Sequence, residues 1–522
     1  MRFSLLRSVL VIATLASAML VSCSCANILA SPAEEPPVLA VTETQLCVFG
    51  ANRTPAYVDI SPDGKRTAYT VMRPDNWFVA MIDGVEGKKY DEIKEYAVSG
   101  ARCTYIFSPD SKHVAYLART YRSWMVVLDG VESAPYDKIY KMEFSPDSQH
   151  FAFDAKKGDK EVIVLDGVES KPFDCPDRPR DPNRQLLPDE GMFDRPYVGV
   201  GFTFSPDSKH LAYCVNDKDG GVVMLDGKAF YAVKNDADYH YARVDMPVFS
   251  PDSTRIAFYS LGKGYFFVIE NLGKDKPERV LYGMGSSPMG DVVFSPDSKH
   301  FAYVDQDPAT RQSFVVRDGF AGKKYDWVDP QSLLFSANSA RLAYIVKVKY
   351  GEGQRSLAVL DGRECENPAN NPACLTFSPD SKHFAYIFVE KEGMCVVVDG
   401  QKRKEYKSIA PRIVFSPDSQ HLAYEINIGY TARAVLDENE GPLFNTINEA
   451  SFTFSPDSKH LAYLGDMYRG ERLTPCLALD GAVTPKTCEV IVTSRIVFTA
   501  PDKCRVFTWR NAGVAALEAT AP

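Results

Sequence analysis

The side chains able to do chemistry in this 522-residue chain are spread by a pattern rather than gathered at a point. Seven of the eight histidines (His113, His150, His210, His300, His383, His421 and His460) occupy one position of a recurring segment, directly after Ser-Pro-Asp-Ser-Lys or Ser-Pro-Asp-Ser-Gln. Metal ligation needs donors that converge. Histidines at one fixed place in successive units brace a turn instead. His240, in Asp236-Ala-Asp-Tyr-His-Tyr, stands alone outside the pattern. The acids of residues 171–196, among them Asp174, Asp181, Glu190 and Asp194, are interleaved with Arg178, Arg180, Arg184 and Arg195 and lack EF-hand spacing, so a surface loop is expected there. No Gly-x-Ser-x-Gly elbow, Cys-x-x-Cys pair, His-Glu-x-x-His, Walker loop or dinucleotide fingerprint is present. The residues therefore point to no catalysis, no metal and no cofactor.

Twelve cysteines leave ten once Cys23 and Cys25 are assigned to an N-terminal leader. Cys365 with Cys374 would close a short loop, and Cys476 with Cys488 straddles Asp480-Gly481 as a bridge across a hairpin would. The alternative is free thiols buried in strands, the reading that suits Cys214 and Cys395. Sequence does not fix the connectivity.

What positions these residues is a repeat. Phe-Ser-Pro-Asp-Ser-Lys-His followed by apolar-Ala-Tyr starts at Phe107, Phe144, Phe204, Phe294, Phe377, Phe415 and Phe454, and drifted copies start at Ile60, Phe249, Phe335 and Phe498. Eleven copies at spacings of 37 to 60 residues, mostly near 42, mark a repeat array. Within each unit an apolar strand ends at Phe. Ser-Pro-Asp-Ser makes a type I turn, with Pro setting φ at its second position. The next strand, such as 210–213, is apolar at successive positions, so both its faces are covered. A third strand such as 125–128 ends in Asp-Gly, a hairpin signal, and a fourth contains Tyr136-Asp137 or Tyr325-Asp326. Four strands per unit without helical periodicity give an all-β fold, a β-propeller of about eleven four-stranded blades. An aromatic content of 12% fits strands, and the net charge of −9 does not suggest nucleic-acid binding.

The Ser-Pro-Asp-Gly/Ser turn followed by Lys/Arg-x-Ala-Tyr/Phe resembles the WD40-like propeller repeats of TolB-type proteins, over about residues 45–516. The resemblance implies a propeller and a bacterial, exported chain. It implies little about activity, because such blades serve scaffolds, peptidase gates and sugar lyases alike. The lyases place a histidine and a metal in the propeller funnel, and His240 is the matching candidate here.

The organisation expected is a signal at 1–26, a linker at 27–44, blades 1–5 over 45–285 and blades 6–11 over 286–522. That is two tandem rings, the alternative being one oversized ring. Arg2 and Arg7 precede an apolar run over 8–22, shorter than the roughly 20 residues of a membrane span, as in an export signal. Cleavage after Ala26 is one reading; the other is a lipobox, Leu20-Val21-Ser22-Cys23, with Cys23 lipidated and the membrane touched only through that anchor. A strand just before the first turn is expected to complete the last blade, which lacks a fourth strand of its own.

In a blade the Ser-Pro-Asp-Ser and Asp-Gly turns emerge on one edge and hardly vary, while the other connections vary and emerge on the opposite edge. Variable loops on a rigid scaffold suit recognition. Arg73, Trp77, Tyr121, Arg122, Trp124, Tyr350, Arg355, Tyr430, Tyr468 and Arg469 lie in or beside them and are of hot-spot type. The function expected is a non-catalytic exported propeller that binds other envelope proteins. The alternative is a polysaccharide-binding or polysaccharide-lyase-type propeller with a glycan as partner.

Overall fold

The computed structural model describes residues 36–522 apart from 49–57, 95, 99–100, 175–200, 218, 236–241, 263, 273–278, 285–291, 352, 366–371, 391–392, 470–471, 486–495 and 511–512. Pro37–Pro522 forms one compact unit. Its strands make eleven antiparallel sheets of four or five strands, plus a two-stranded hairpin of Tyr96–Val98 with Ala101–Cys103 between the first two. The repeat did not signal that hairpin. In the first ten sheets the strands follow one another in chain order.

The sequence pattern explains the layering. Second strands are buried on both faces, as in Val114–Thr120, where Val114 to Ala118 are all buried. Fourth strands are the most exposed, as in Gln401–Tyr406 and Val85–Tyr90, which places them at the rim and the first strands at the axis. Between neighbouring sheets lie apolar clusters, such as Ala115, Leu117 and Val126 of the second blade against Met142, Phe153 and Val164 of the third. Truncating one such aromatic to Ala costs about 3–5 kcal/mol.

The repeated turn does more than reverse the chain. In the second blade the Ser111 N–H donates to the Ser108 carbonyl at 2.9 Å, closing the turn. Ser108 Oγ donates to Asp110 Oδ1 at 2.6 Å and accepts from His113 N at 2.9 Å. Ser111 itself has φ 67°, a conformation that costs a non-glycine residue about 1–2 kcal/mol. Its buried hydroxyl accepts the Asp63 N–H of the preceding blade at 3.0 Å. The same inter-blade staple recurs at every junction from the first blade to the tenth, through Ser148, Ser208, Ser253, Ser298, Ser339, Ser381, Ser419 and Ser458 at 2.8–3.0 Å.

The Asp-Gly turns are the second fixture. Asp129 and Gly130 both have positive φ, 49° and 81°, as a type I′ hairpin requires. Asp129 Oδ1 accepts from Val114 N at 2.9 Å, and Oδ2 meets His113 Nδ1 at 2.6 Å. All seven repeat histidines make this contact with the aspartate of their own blade. Arg66 with Asp83 and Arg341 with Asp361 replace it elsewhere. Turn bracing is thus the role the structure gives the repeat histidines.

The eleventh blade departs from the pattern. Its first two strands, Val497–Ala500 and Lys503–Arg510, are joined by a two-residue turn, Pro501-Asp502, so Ala500 rather than Thr499 stands at the end of the first strand and the staple serines are missing. Chain ends supply the substitute. Ala40–Val48 pairs with Gly513–Thr520 as the fourth strand, starting earlier than the expected 45 and shortening the linker. Just before it, Leu39 N donates to the Val483 carbonyl and Val483 N to the Pro37 carbonyl, both at 2.8 Å, tying the same segment to the tenth blade. On the other side Val58 and Tyr69 of the first blade pack on Phe507 and Ala516 of the eleventh, and Arg505 donates to the Gly64 carbonyl at 3.2 Å.

The seam expected at 285/286 is packed like its neighbours. Tyr259 and Phe267 of the fifth blade meet Phe294, Phe301 and Tyr303 of the sixth, and the Asp252 N–H reaches Ser298 Oγ at 2.8 Å. Sheet packs on sheet across this boundary, and the eleventh sheet packs on the first. Cys365 and Cys374 do not form the expected bridge, because Cys365 packs between the seventh and eighth blades and Cys374 between the eighth and ninth, on opposite faces of one sheet. Cys476 is buried, and Cys488 lies outside the described residues.

Two predictions follow from the staple. Ser208→Ala leaves the Asp147 N–H without its acceptor and should cost about 1 kcal/mol in urea unfolding. Gly64→Ser, which would bring the first blade to the consensus, should also destabilise: Gly64 has φ 69° and a Cβ there lies 3.0 Å from Val497 Cγ1. An unchanged or raised midpoint for Gly64→Ser would contradict the account. A third concerns acid. The Ser205 hydroxyl holds Asp207 down at about 2, and Ser295 does the same for Asp297. A carboxylate with lowered pKa stabilises the fold above its ordinary value near 4 and loses that contribution as pH falls through 2. The melting temperature should therefore fall between pH 4 and pH 2.

Candidate functional site

The variable edge is built from the turns between second and third strands, and the structure separates the ten candidate residues there into groups. Tyr121 and Arg122 form a two-residue turn between Val114–Thr120 and Ser123–Leu128, with Tyr121 85% exposed. Tyr430 sits in the turn between Leu422–Ile428 and Thr431–Leu436 and is 99% exposed; Tyr468, in Leu461–Arg469, is 62% exposed. Trp77 is 36% exposed beside the turn in which the Arg73 N–H donates to the Trp77 carbonyl, and the Arg73 guanidinium pairs with Glu86. These exposed aromatics belong to blades 1, 2, 9 and 10. In ring order that is one arc spanning the closure.

Others do not join the arc as expected. Trp124 is not a loop residue: it lies in a strand, half-buried against the cluster between the second and third blades, with Lys94 Nζ 5.3 Å and Arg119 Cζ 5.6 Å from its ring centre. Arg355 is half-buried in Gly353–Leu360. The side chains of Tyr350 and Arg469 lie outside the described residues, as do Cys23, His240 and most of the insert at 171–196.

What pins these turns was not foreseen. The aspartate of the Tyr-Asp pair ending one blade accepts a backbone N–H from the turn of the next: Asp91 Oδ2 from Tyr121 N, and Asp137 Oδ2 from Gly158 N at 2.6 Å. At the rim, Tyr90 and Tyr136 donate to Glu132 and Glu169 of the following blade, each at 2.9 Å. Tyr-Asp is visible in the sequence; that its partner belongs to another blade is not.

The opposite edge carries Val85, Val131 and Val168, each about 70% exposed at the residue after Asp-Gly. A cleft of about 580 Å³ opens between the sixth and seventh blades on the variable edge, lined by Thr310, Arg311, Gln312, Asp326, Lys349, Gly353 and Gln354. Among the described residues no three His, Cys, Asp or Glu side chains are placed to hold a metal ion, and no helix is long and apolar enough to cross a membrane. Burial pushes the Cys504 thiol up to about 12, so it is a packing group rather than a nucleophile.

One titratable group has the pKa of a general base but not its access. Asp154 is 3% exposed, and burial together with the nearby Glu161 pushes it up to about 7. Its Oδ1 accepts the Lys141 and Tyr140 N–H groups at 2.7 and 3.2 Å, at an irregularity of the adjoining strand. The carboxylate therefore fixes a bulge.

No family model matches the chain, and no curated protein does. Among solved structures, a eukaryotic initiation factor aligns with 13% identity over 72% of this chain and 97% of its own, at a TM-score of 0.38. The β-propeller domain of Cps50 (Swd1) from Myceliophteria thermophila aligns with 13% identity over 61% and 99%, at 0.27, and hydrazine synthase from Kuenenia stuttgartiensis with 12% identity over 65% and 99%, at 0.25. The propeller reading rests on the chain's own sheets and clusters, and no role of those proteins is carried over.

Asp154 supplies the prediction here. The unfolded chain ionises this group near 4 and the folded chain near 7, so the protonated folded form is favoured and stability declines as pH rises from 4 to 7. Asp154→Asn keeps the Oδ1 acceptor and removes the ionisation. Its melting temperature at pH 8 should exceed that of the parent by several degrees, with the gap closing at pH 4. A gap independent of pH would show that ionisation is not involved.

Proposed function

We propose that this chain is a non-catalytic propeller that binds other proteins through its variable edge, exported by the leader at 1–26 and working in the cell envelope. The observation that carries the reading is the contrast between the two edges. One edge is consumed by staples and His–Asp contacts repeated from blade to blade. The other presents turns of differing length, with Tyr121, Tyr430, Tyr468 and Trp77 exposed on one arc. Exposed Tyr and Trp on rigid turns lose little entropy on binding and make effective anchors. The lipobox at Cys23 would tether the ring to a membrane through its N-terminal segment.

The test is capture from an envelope extract by the full chain immobilised through its C-terminus. Tyr121→Ala with Tyr430→Ala should reduce capture of the bound partner about tenfold or more, the scale of a hot-spot loss. Val131→Ala, on the opposite edge, should leave it unchanged. Capture insensitive to the tyrosines, or lost equally with Val131→Ala, would remove the reading; retention by a glycan array alone would favour the polysaccharide-binding alternative.

A further inference from the structure

The cleft between the sixth and seventh blades differs from its counterparts in what its aspartate does. Asp91 and Asp137 each accept a backbone N–H from the turn of the next blade. Those turns follow second strands that end four residues past the repeat aromatic, Thr120 after Tyr116 and Lys157 after Phe153. In the seventh blade the strand runs to Tyr350, six residues past Tyr344, and its partner starts at Gly353. The hairpin is longer by two residues on each side, as in the tenth blade, where Tyr468 N still donates to Asn445 Oδ1 at 3.0 Å. Asp326, the equivalent of Asp91, is exposed and has no side-chain partner among the described residues.

The opposite wall is held rigidly. Arg311 N donates to the Asp307 carbonyl at 2.7 Å, Gln306 Nε2 donates to the Arg311 carbonyl at 2.9 Å, and Asp307 Oδ1 accepts from Ala309 N at 2.9 Å while Lys324 pairs with Oδ2. This network keeps Arg311 at φ 57°, a conformation that costs a long side chain about 1–2 kcal/mol. The guanidinium it presents has no partner among the described residues, and neither does Lys349 across the cleft. Gln312, Gln354 and Thr310 complete the lining. On a chain of net charge −9 this is a local pair of unneutralised cations beside one unsatisfied acceptor.

We propose that this cleft binds an extended, acidic peptide segment of a partner, whose backbone N–H takes the acceptor position on Asp326 that a neighbouring turn fills on Asp91 and Asp137, and whose carboxylates pair with Arg311 and Lys349. The two glutamines suit the remaining peptide amides. The inference rests on the reading of the variable edge as a protein-binding surface and assigns one partner chemistry to one part of it.

The probe is a fluorescein-labelled, C-terminally amidated Gly-Gly-Glu-Gly-Glu-Gly-Gly, titrated with the full chain and followed by anisotropy at low salt. Saturable binding is expected, weakened about tenfold by Arg311→Gln or Lys349→Gln. Asp326→Ala should weaken it as well, although removing an acid strengthens binding of any polyanion held by charge alone. A trigalacturonate competitor tests that second source. Tighter peptide binding to Asp326→Ala, equal competition by trigalacturonate, or no saturation in the millimolar range would each overturn the proposal. Loss of peptide binding with tyrosine-dependent capture intact would remove this assignment only; the converse would remove the wider reading and spare the cleft.

Discussion

The structure depends on one hydrogen bond repeated around the ring: the N–H of a turn aspartate, or Asn338 in one blade, donated to the hydroxyl of a left-handed serine in the next turn. Neither partner can be satisfied within its own blade. The serine occupies a backbone conformation that glycine holds with less strain, and Gly64 shows that the turn itself accepts glycine. Serine at the nine other positions is explained by what its hydroxyl does for the preceding blade. A blade alone would carry the strain without the bond, so each unit is stable only with a neighbour, the energetic signature of a repeat array. The apolar clusters supply most of the attraction between sheets, but they are non-directional. The staple fixes how far one sheet rotates against the next.

A closed ring must bring its ends together, and here the usual staple is given up. The eleventh blade has a shorter turn and bonds to neither side in the repeated way. The N-terminal segment compensates with longer-range contacts. It pairs with Val483 of the tenth blade, then runs as the outer strand of the eleventh, hiding an edge that would otherwise be open to another chain. Gly64 belongs to the same solution: with Val497 against it, a side chain there would be in the way. Closure is thus made by sequence far apart in the chain, whereas the other junctions are made by adjacent units.

That distinction also separates what could be read in the sequence from what could not. Periods and turns are local. The Ser-Pro-Asp-Ser turn, the Asp-Gly hairpin, the histidine beside them and an N-terminal strand completing the last blade were all legible, because each follows from residues within a few positions or from a strand count. Which surfaces meet is not local. The second role of Ser111, the acceptor role of Asp91 and the packing of Trp124 against the third blade depend on the neighbouring unit. Cys365 and Cys374 looked paired because only eight residues lie between them in the chain, but a sheet lies between their side chains. The packing of Phe267 on Tyr303, across the 285/286 boundary, is likewise not local. Among the ten recognition residues Tyr121 and Tyr430, at turn tips, are exposed, and Trp124, within a strand, is half-buried.

Separating the staples from the variable turns has a consequence for how such a ring can acquire binding sites. With sheet rotation set on one edge, hairpins on the other can lengthen without disturbing the packing between blades. The variable edge is nevertheless not free by default: Asp91 and Asp137 show that a short hairpin is tied down by the preceding blade. In the seventh blade the turn of the long hairpin makes no such bond and Asp326 keeps its hydrogen-bonding capacity unspent, whereas in the equally long hairpin of the tenth blade Tyr468 N still donates to Asn445 Oδ1 at 3.0 Å. An exposed carboxylate remains hydrated at little cost, so the release does not destabilise the fold. It converts an internal tether into a group that can serve a partner. The contrast between Asp326 and Asn445 shows that hairpin length alone does not decide the release, and the number of blades multiplies the places where it can happen.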